Sequence, residues 1–221
     1  MEDLPLRVIR SRRRTYSIEM DESGITIRVP LWMDRNHVEE ILQKHAGWIE
    51  KHAKVIYRRR KERASFGLEG GNLMYLGRAY PIVRSSSLRS ITFDGEKFLL
   101  PHGNSDRMRK LLVRWFKEQA RRIILPRVRH FSRITGLDYR GVRITSAMKR
   151  WGSCTAKKNL NFSYRLVMAP LHVIDYVVVH ELIHTKIPGH GRDFYERVQE
   201  ILPDFREREK WLRENAHLMF I

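Results

Sequence analysis

The clearest pattern of apolar and polar positions lies in the second half of the chain. Between residues 173 and 187, apolar side chains and two histidines recur at steps of three and four residues. This spacing predicts one stripe of an amphipathic helix. Pro170 suits the first turn of that helix, and Pro188-Gly189 is expected to stop it and turn the chain. Just upstream, residues 159–167 alternate between apolar and polar side chains, which predicts a strand with one buried face.

Shorter alternating runs dominate the first hundred residues. Residues 4–30 predict a β-meander, and Asp34 is expected to cap a long helix that runs to about Glu62. Asp94-Gly95 is typical of a hairpin turn. Four further strands are predicted, near residues 73–76, 79–84, 90–93 and 97–100.

The segment from Pro101 to Asp106 is the best candidate for a domain boundary. Beyond it, apolar residues from Met108 to Ile124 predict an amphipathic helix with arginines on its other face. Pro126 is expected to kink that helix. The remaining predicted elements are a strand at residues 142–148 and helices at residues 191–201 and 204–218.

Together these elements predict an α+β fold in two parts. Residues 1–105 are expected to form a β-rich accessory region with one long helix. Residues 106–221 are expected to form a second, compact domain, in which a small antiparallel sheet combines with helices.

Composition narrows the class of protein. Hydrophobic residues make up 42% of the chain, which is enough for a sizeable core. The single cysteine, Cys154, rules out an internal disulfide and fits a reducing compartment, so we expect a cytoplasmic protein. No apolar run approaches the length of a membrane span, and the first residues lack the apolar stretch of a secretory signal. We therefore expect no membrane partner.

The formal net charge of +18 changes the picture of possible partners. Its densest clusters are Arg12-Arg13-Arg14 and the run from Arg58 to Lys61. A field of this size attracts nucleic acid, nucleotides or acidic protein surfaces. Solvated helix faces explain the same charge equally well, because no nucleic-acid-binding motif accompanies it.

The strongest candidate chemistry is His180-Glu181-Leu182-Ile183-His184, followed by His190. Histidines four residues apart share one helix face and can grip one ion, while the neighbouring glutamate can take a proton from a water on that ion. A buried helix whose histidines only pack is the simpler alternative, and the third histidine weighs against it. Zn²⁺ suits three imidazoles best, although spacing alone leaves Mn²⁺, Ni²⁺ and Co²⁺ open.

Four segments around this motif carry a family resemblance: Lys149–Cys154, Asn159–Phe162, Val177–His184 and His190 with Phe194. They resemble the YgjP-like family of predicted metal-dependent hydrolases. The resemblance also reaches upstream, to Ser11–Tyr16 and Ala46–Ile49. Around Arg150–Cys154 the chain is similar to SprT-like proteases.

The resemblance implies a zincin-like domain with His180, His184 and His190 as metal ligands and Glu181 as catalytic acid/base. Members of the family are described both as metallopeptidases and as pyrophosphatases acting on uridine triphosphate, so the substrate stays open. The ligand offsets also equal those of metzincins, but Ile187 stands where that group has glycine.

Other candidates follow from residue chemistry. The strand Asn159–Leu166 is expected to wall the cleft and offer its edge to an extended peptide, and Asn161 on it is a candidate for binding substrate. Arg150 and Arg165 are candidates for stabilising charge on the substrate. Asp175 and Asp193 are candidates for orienting a ligand histidine. Cys154 as a thiol nucleophile is a rival hypothesis, but packing of its loop is the commoner explanation.

Three functions therefore compete. The leading hypothesis is a zinc-dependent hydrolase of metallopeptidase type that acts on polypeptide. The second is a uridine triphosphate pyrophosphatase that releases diphosphate, with phosphates held by arginines and metal because no glycine-rich phosphate loop is present. The third is a basic nucleic-acid-binding protein with a vestigial metal site.

Overall fold

Residues 6–30 form a small mixed sheet in the computed structural model, which describes residues 4–221. Its middle strand pairs antiparallel with one neighbour and parallel with the other. The expected β-meander is wrong, since a meander pairs only consecutive strands, and here the third strand lies between the first two. The strands are β1 (Leu6–Ser11), β2 (Ser17–Asp21) and β3 (Gly24–Pro30).

Two helices follow where the sequence predicts one. Asp34 caps the first helix as expected, because its carboxylate accepts the backbone N–H of His37 at 3.0 Å. The helix breaks at His45, whose backbone leaves the helical conformation. The helices are α1 (Arg35–Lys44) and α2 (Ala46–Ala64). Buried side chains of α1 and β3 form the small core of this first unit, which ends at Ala64.

The second unit, Ser65–Ile221, begins with a one-turn helix and a four-stranded sheet. These elements are α3 (Gly67–Gly70), β4 (Asn72–Tyr75), β5 (Arg78–Ser85), β6 (Thr92–Phe93) and β7 (Phe98–Pro101). The order of the strands in the sheet is β4-β5-β7-β6. The predicted hairpin turn is confirmed, because β6 and β7 pair antiparallel and Asp94 accepts the backbone N–H groups of Glu96 and Lys97 at 2.9 Å.

A long helix, α4 (Ser105–Thr135), organises the second unit. It continues through Pro126 and ends at Gly136, which adopts the left-handed conformation that favours glycine. Its buried stripe belongs to the same core as Leu73 and Phe98. The predicted boundary at residues 101–106 therefore falls inside one unit, and the division of the described residues lies after Ala64. Packing of both sheet and helix against one core, which local sequence does not reveal, explains the difference.

The last third of the chain forms a mixed sheet and three helices. These elements are β8 (Gly141–Thr145), β9 (Gly152–Cys154), β10 (Asn159–Ser163), α5 (Leu171–Ile183), α6 (Arg192–Ile201) and α7 (Phe205–Asn215). The sheet order is β8-β10-β9, with β8 parallel and β9 antiparallel to β10, so the sheet is mixed and not antiparallel as expected. The strand predicted to reach residue 167 ends at Ser163, because Tyr164–Met168 forms a 3-10 helix.

The fold class is α+β, as expected, because helices and small mixed sheets occupy separate stretches of the chain. Within residues 4–221, no helix combines the length and the apolar character needed to span a membrane.

Candidate metal centre

Three imidazoles converge at the end of α5. His180 lies in the last turn of α5, His184 caps it, and His190 returns from the loop that leads to α6. The Nε2 atoms of the three rings lie 3.1 Å from one another in every pairing. Helical spacing accounts for the first pair, and the turn after Ile187 brings in the third ring. The predicted ligand set is thus one geometric cluster.

The protonation of these rings suits metal binding. The Nδ1–H of His184 donates to the carbonyl of Ile187 at 2.9 Å, which leaves its Nε2 lone pair directed at the cluster. Burial and the two neighbouring histidines lower the pKa of His180 to about 3. Burial also lowers the pKa of His184. Both rings are therefore neutral near pH 7, as metal ligands must be.

The spacing of the three nitrogens also fits an ion. Tetrahedral zinc with bonds of about 2.0–2.1 Å places its nitrogen ligands about 3.3 Å apart. The observed 3.1 Å is close to that value. Three electron-pair donors at this distance repel one another unless a cation or proton lies between them. The donor set of this chain therefore fits a divalent metal.

Phe194 forms the floor of the cluster, a role that the sequence does not predict. Its ring is fully buried, and its centroid lies 4.6–4.8 Å from all three imidazole centroids. Its position in the first turn of α6, four residues after His190, was the available signal. The ring fixes the imidazoles by packing and shields one side of the cluster from water.

Glu181 points from α5 towards β9 rather than into solvent. Its side chain is buried, and the backbone N–H of Cys154 hydrogen-bonds to it. A Cβ on Gly152 would lie 2.6 Å from two Glu181 atoms, so any larger residue at that position would displace the Glu181 side chain. Burial raises the pKa of Glu181 to about 7, against the opposing effects of Arg150 and the Cys154 N–H. Such a carboxyl can both accept and release a proton near neutral pH.

The edge strand that faces the imidazoles is β9, not the strand predicted from the sequence. Because β10 pairs with β8 on one side and β9 on the other, it has no edge to offer. The backbone hydrogen bonds from β9 to β10 are made by the Trp151 carbonyl, which accepts the Ser163 N–H, and by the Thr155 N–H, which donates to the Asn159 carbonyl. Alternation then turns the backbone groups of Gly152 and Cys154 outward, towards Glu181. The edge strand and the imidazoles face each other.

A cleft of about 480 Å³ separates these two walls. One wall is Arg150 and Gly152 to Ala156, and the other is the triad, Glu181 and Pro188. Of the three predicted substrate-binding residues, Arg150 alone lines this cleft, where its side chain is exposed. The prediction for Arg150 thus agrees with its position.

Arg165 occupies a structural position instead. Its side chain is buried, donates to the carbonyls of Met148 at 2.8 Å and Met219, and stacks over the ring of Trp151. The sequence predicts a role for Arg165 in the substrate site. In the structure, its guanidinium instead stabilises the loop that leads into β9. A buried arginine stabilises by satisfying carbonyls that a loop leaves unpaired.

Asn161 lies on the opposite face of the sheet from the core. Its neighbours on β10, Leu160 and Phe162, are fully buried, and strand alternation places Asn161 on the other side. Its amide nitrogen lies 3.3 Å from the Ser153 hydroxyl, and it lines shallow grooves beside Arg143 rather than the metal cleft. The predicted contact with substrate at the metal is therefore not supported by its position.

The two aspartates proposed as histidine-orienting groups do other things. Asp175 forms an ion pair with Arg127 of α4, including a bond of 2.7 Å to Oδ2. Asp193 is exposed in the first turn of α6, where a negative charge complements the helix dipole. The group that orients His184 is the backbone carbonyl of Ile187, and a backbone carbonyl cannot be predicted from a side-chain motif.

Cys154 lines the cleft but is poorly suited to be a nucleophile. Burial and the nearby Glu181 raise the pKa of its thiol, with a smaller opposite effect of Lys158. Because the thiolate is the reactive form, this environment suppresses reactivity. The thiol–histidine hypothesis is weakened accordingly.

Comparison with protein families gives one match. The family model described as YgjP-like, metallopeptidase domain, matches residues 14–215, a range that contains the triad, Glu181 and the edge strand β9. No curated protein and no solved structure matches the chain. A metallopeptidase family implies a divalent metal, which agrees with the donor set described above. The chain therefore belongs to the YgjP-like family of metallopeptidase domains.

Proposed function

We propose that this protein is a zinc-dependent hydrolase of metallopeptidase type, with Glu181 as its general acid/base. One observation carries the proposal: a buried carboxyl and three converging imidazoles face the outward edge of β9 across one cleft. Three neutral nitrogen donors favour zinc among the common divalent metals, and they leave a coordination position open.

A zinc ion held by His180, His184 and His190 would act as a Lewis acid towards the scissile carbonyl and the attacking water. Glu181 accepts the proton of that water and passes it to the leaving nitrogen, and the burial that raises the pKa of its carboxyl favours holding the proton between the two transfers. Since the Cys154 N–H is bound to Glu181, the Gly152 N–H and C=O and the Cys154 C=O are the outward groups that bind an extended peptide as an additional strand. Because Gly152 has no side chain, the Glu181 carboxyl lies close to the backbone of β9, and so to a peptide bound along that strand.

The test compares wild type with Glu181→Gln on unfolded protein, after measuring the metal content of both. We expect about one zinc per chain in each, and peptide cleavage by wild type alone, because the amide cannot accept the proton. Glu196→Gln, in an exposed pair with Arg192, is the matched control and should retain activity. An active Glu181→Gln protein would contradict the assignment of Glu181. Metal-free wild type in a folded state would contradict the metal site.

A uridine triphosphate pyrophosphatase is the second candidate, and the charge near the cleft favours it. Residues 139–174 contain seven lysines and arginines and no aspartate or glutamate. A triphosphate needs such cations around it. The same two proteins distinguish the candidates, since Glu181-dependent diphosphate release without peptide cleavage would favour the nucleotide reaction.

A further inference from the structure

The stretch that forms the cleft wall is free of acidic residues. The chain has 25 acidic residues in 221, which would place about four in a stretch of this length by composition. None occurs between Asp138 and Asp175. Asp175 lies outside the cleft lining and forms an ion pair with Arg127, and the one carboxyl in the lining is that of buried Glu181. The absence of acids therefore leaves the cations of this wall uncompensated.

These cations stand at the two ends of the edge strand. Lys149 and Arg150 precede β9, with Trp151 between, and Lys157 and Lys158 follow it in the turn to β10. All four side chains are exposed, and none of them forms an ion pair within residues 4–221. Because β9 is extended at about 3.3 Å per residue, the two pairs are separated by several residues of any peptide lying along it.

The charges lie at the cleft itself. Arg150 lines it at one end of β9, and Lys157 and Lys158 directly follow Ala156, which lines it at the other. The turn that holds the lysines has a fixed backbone: the Lys158 N–H donates to the Thr155 carbonyl at 2.8 Å, and the Lys158 carbonyl accepts the Arg140 N–H at 2.8 Å. The lysines are thus held at the end of the edge strand rather than on a loose loop.

We infer that the cleft selects polypeptide segments with acidic side chains on both sides of the scissile bond. Arg150 and the pair Lys157-Lys158 are the specificity-determining residues. This inference rests on the peptidase function proposed above. Opposite charge at both ends steers an acidic segment into the cleft and disfavours a basic one, an effect that salt weakens.

An acidic peptide fits these features better than a nucleotide. The cations are distributed along a strand whose outward N–H and C=O groups match a peptide backbone. Tight phosphate binding depends instead on cations that converge on one group, with arginine forks in bidentate contact. Arg150 is the one arginine in the cleft lining, and the two lysines lie at the other end of β9.

The test uses three quenched fluorescent peptides with one common core and acidic, neutral or basic flanking residues. We expect wild type to cleave the acidic peptide with a kcat/KM roughly tenfold above that of the neutral one, and the basic peptide most slowly. At 0.5 M salt, where the screening length is about 4 Å, the difference should shrink to less than threefold.

Two variants and a control assign the effect. Lys157→Glu/Lys158→Glu should reverse the order of the acidic and basic peptides, whereas Lys110→Glu, exposed on α4, should keep the wild-type order. Lys158 has a positive φ of 57°. Lys157→Gln/Lys158→Asn therefore provides a neutral alternative that tolerates this conformation, and it should lose the preference without reversing it.

Binding of the same peptides to Glu181→Gln separates the two levels of the proposal. Cleavage of all three peptides at equal rates would overturn the inference and leave the peptidase function intact. Preferential binding of the acidic peptide without cleavage by wild type would retain the selectivity and overturn the peptidase function. If the lysine substitutions abolish Glu181-dependent diphosphate release from uridine triphosphate and all three peptides behave alike, the cations serve a nucleotide and the inference is wrong.

Discussion

Gly152 shows how one missing side chain sets the position of the proposed acid/base. The Glu181 carboxyl lies where a Cβ at residue 152 would be, and the next outward N–H of the strand, from Cys154, hydrogen-bonds to it. The carboxyl is therefore held by backbone, which cannot rotate away as a side chain could. Its position relative to the imidazoles follows from the path of β9.

Gly152→Ala tests this arrangement. The new methyl group would overlap Glu181, and a displacement of about 1 Å in such a group can lower kcat by about 100-fold. We expect that loss with zinc content unchanged, measured by kinetics and metal analysis. Gly47→Ala is the control, since a Cβ there meets nothing within 4 Å and activity should be unaffected. Wild-type kcat in Gly152→Ala would show that Glu181 adjusts freely.

Cys154 provides a pH-dependent prediction at the same strand. Burial and Glu181 raise the pKa of the thiol, so the neutral form persists to higher pH than in a free cysteine. We expect alkylation by iodoacetamide to be slow at pH 7.5 in the folded protein and to keep increasing above the ordinary thiol pKa. The urea-unfolded protein is the reference and should react faster at pH 7.5. Rapid labelling of the folded protein at that pH would revive the nucleophile hypothesis.

At the scale of elements, the position of α5, the helix that carries His180 and Glu181, depends on an ion pair with α4. Arg127 of α4 and Asp175 of α5 form an ion pair in which the Asp175 side chain is 12% exposed and the Arg127 side chain 31%. Loss of one partner leaves the other charge poorly compensated in a largely apolar interface. The pair therefore holds the two longest elements of this core in register near the site.

We expect Arg127→Ala to lower the free energy of unfolding by about 2 kcal/mol, less than for a fully buried pair because both groups retain some solvent. Urea denaturation followed by circular dichroism measures the change. Arg122→Ala removes an exposed pair with Glu118 and should cost less than about 0.5 kcal/mol. Equal effects of the two substitutions would mean that Asp175 finds another partner or enough water.

Local pattern was sufficient for some elements and not for others. The three- and four-residue spacing predicted α5 and the stripe of α4, and capping and turn chemistry located Asp34 and the β6–β7 hairpin. Strand order was not predictable, because pairing joins segments that are distant in the sequence. The predictions for Asn161 and Arg165 differ from the structure for that reason. Asn161 lies on β10, the central strand. Arg165 lies in the 3-10 helix Tyr164–Met168, and its guanidinium binds carbonyls that are 17 and 54 residues away in the sequence.

At the scale of the whole molecule, the net charge of +18 predicts electrostatic affinity for polyanions. We expect Glu181→Gln to bind a labelled single-stranded oligonucleotide weakly, without sequence preference. Anisotropy titrations should show the affinity falling about 10³-fold or more between 50 and 200 mM salt if six or more phosphates are contacted. Salt-independent binding would instead indicate base recognition and favour a nucleic-acid-binding function. No binding at 50 mM salt would show that the charge only solvates the surface.

His190 belongs to neither α5 nor α6 but to the exposed loop between them, whereas the other two imidazoles sit at the end of a buried helix. An ion shared by all three closes a loop of a few residues, so the entropy of ordering residues 185–191 is part of the metal affinity. Chelation by EDTA should therefore speed proteolytic nicking within this loop and leave α4 intact, and added zinc should restore protection. If the rate of nicking is the same with and without metal, His190 is not the third ligand. The order of this loop is thus a direct measure of metal occupancy that requires no substrate.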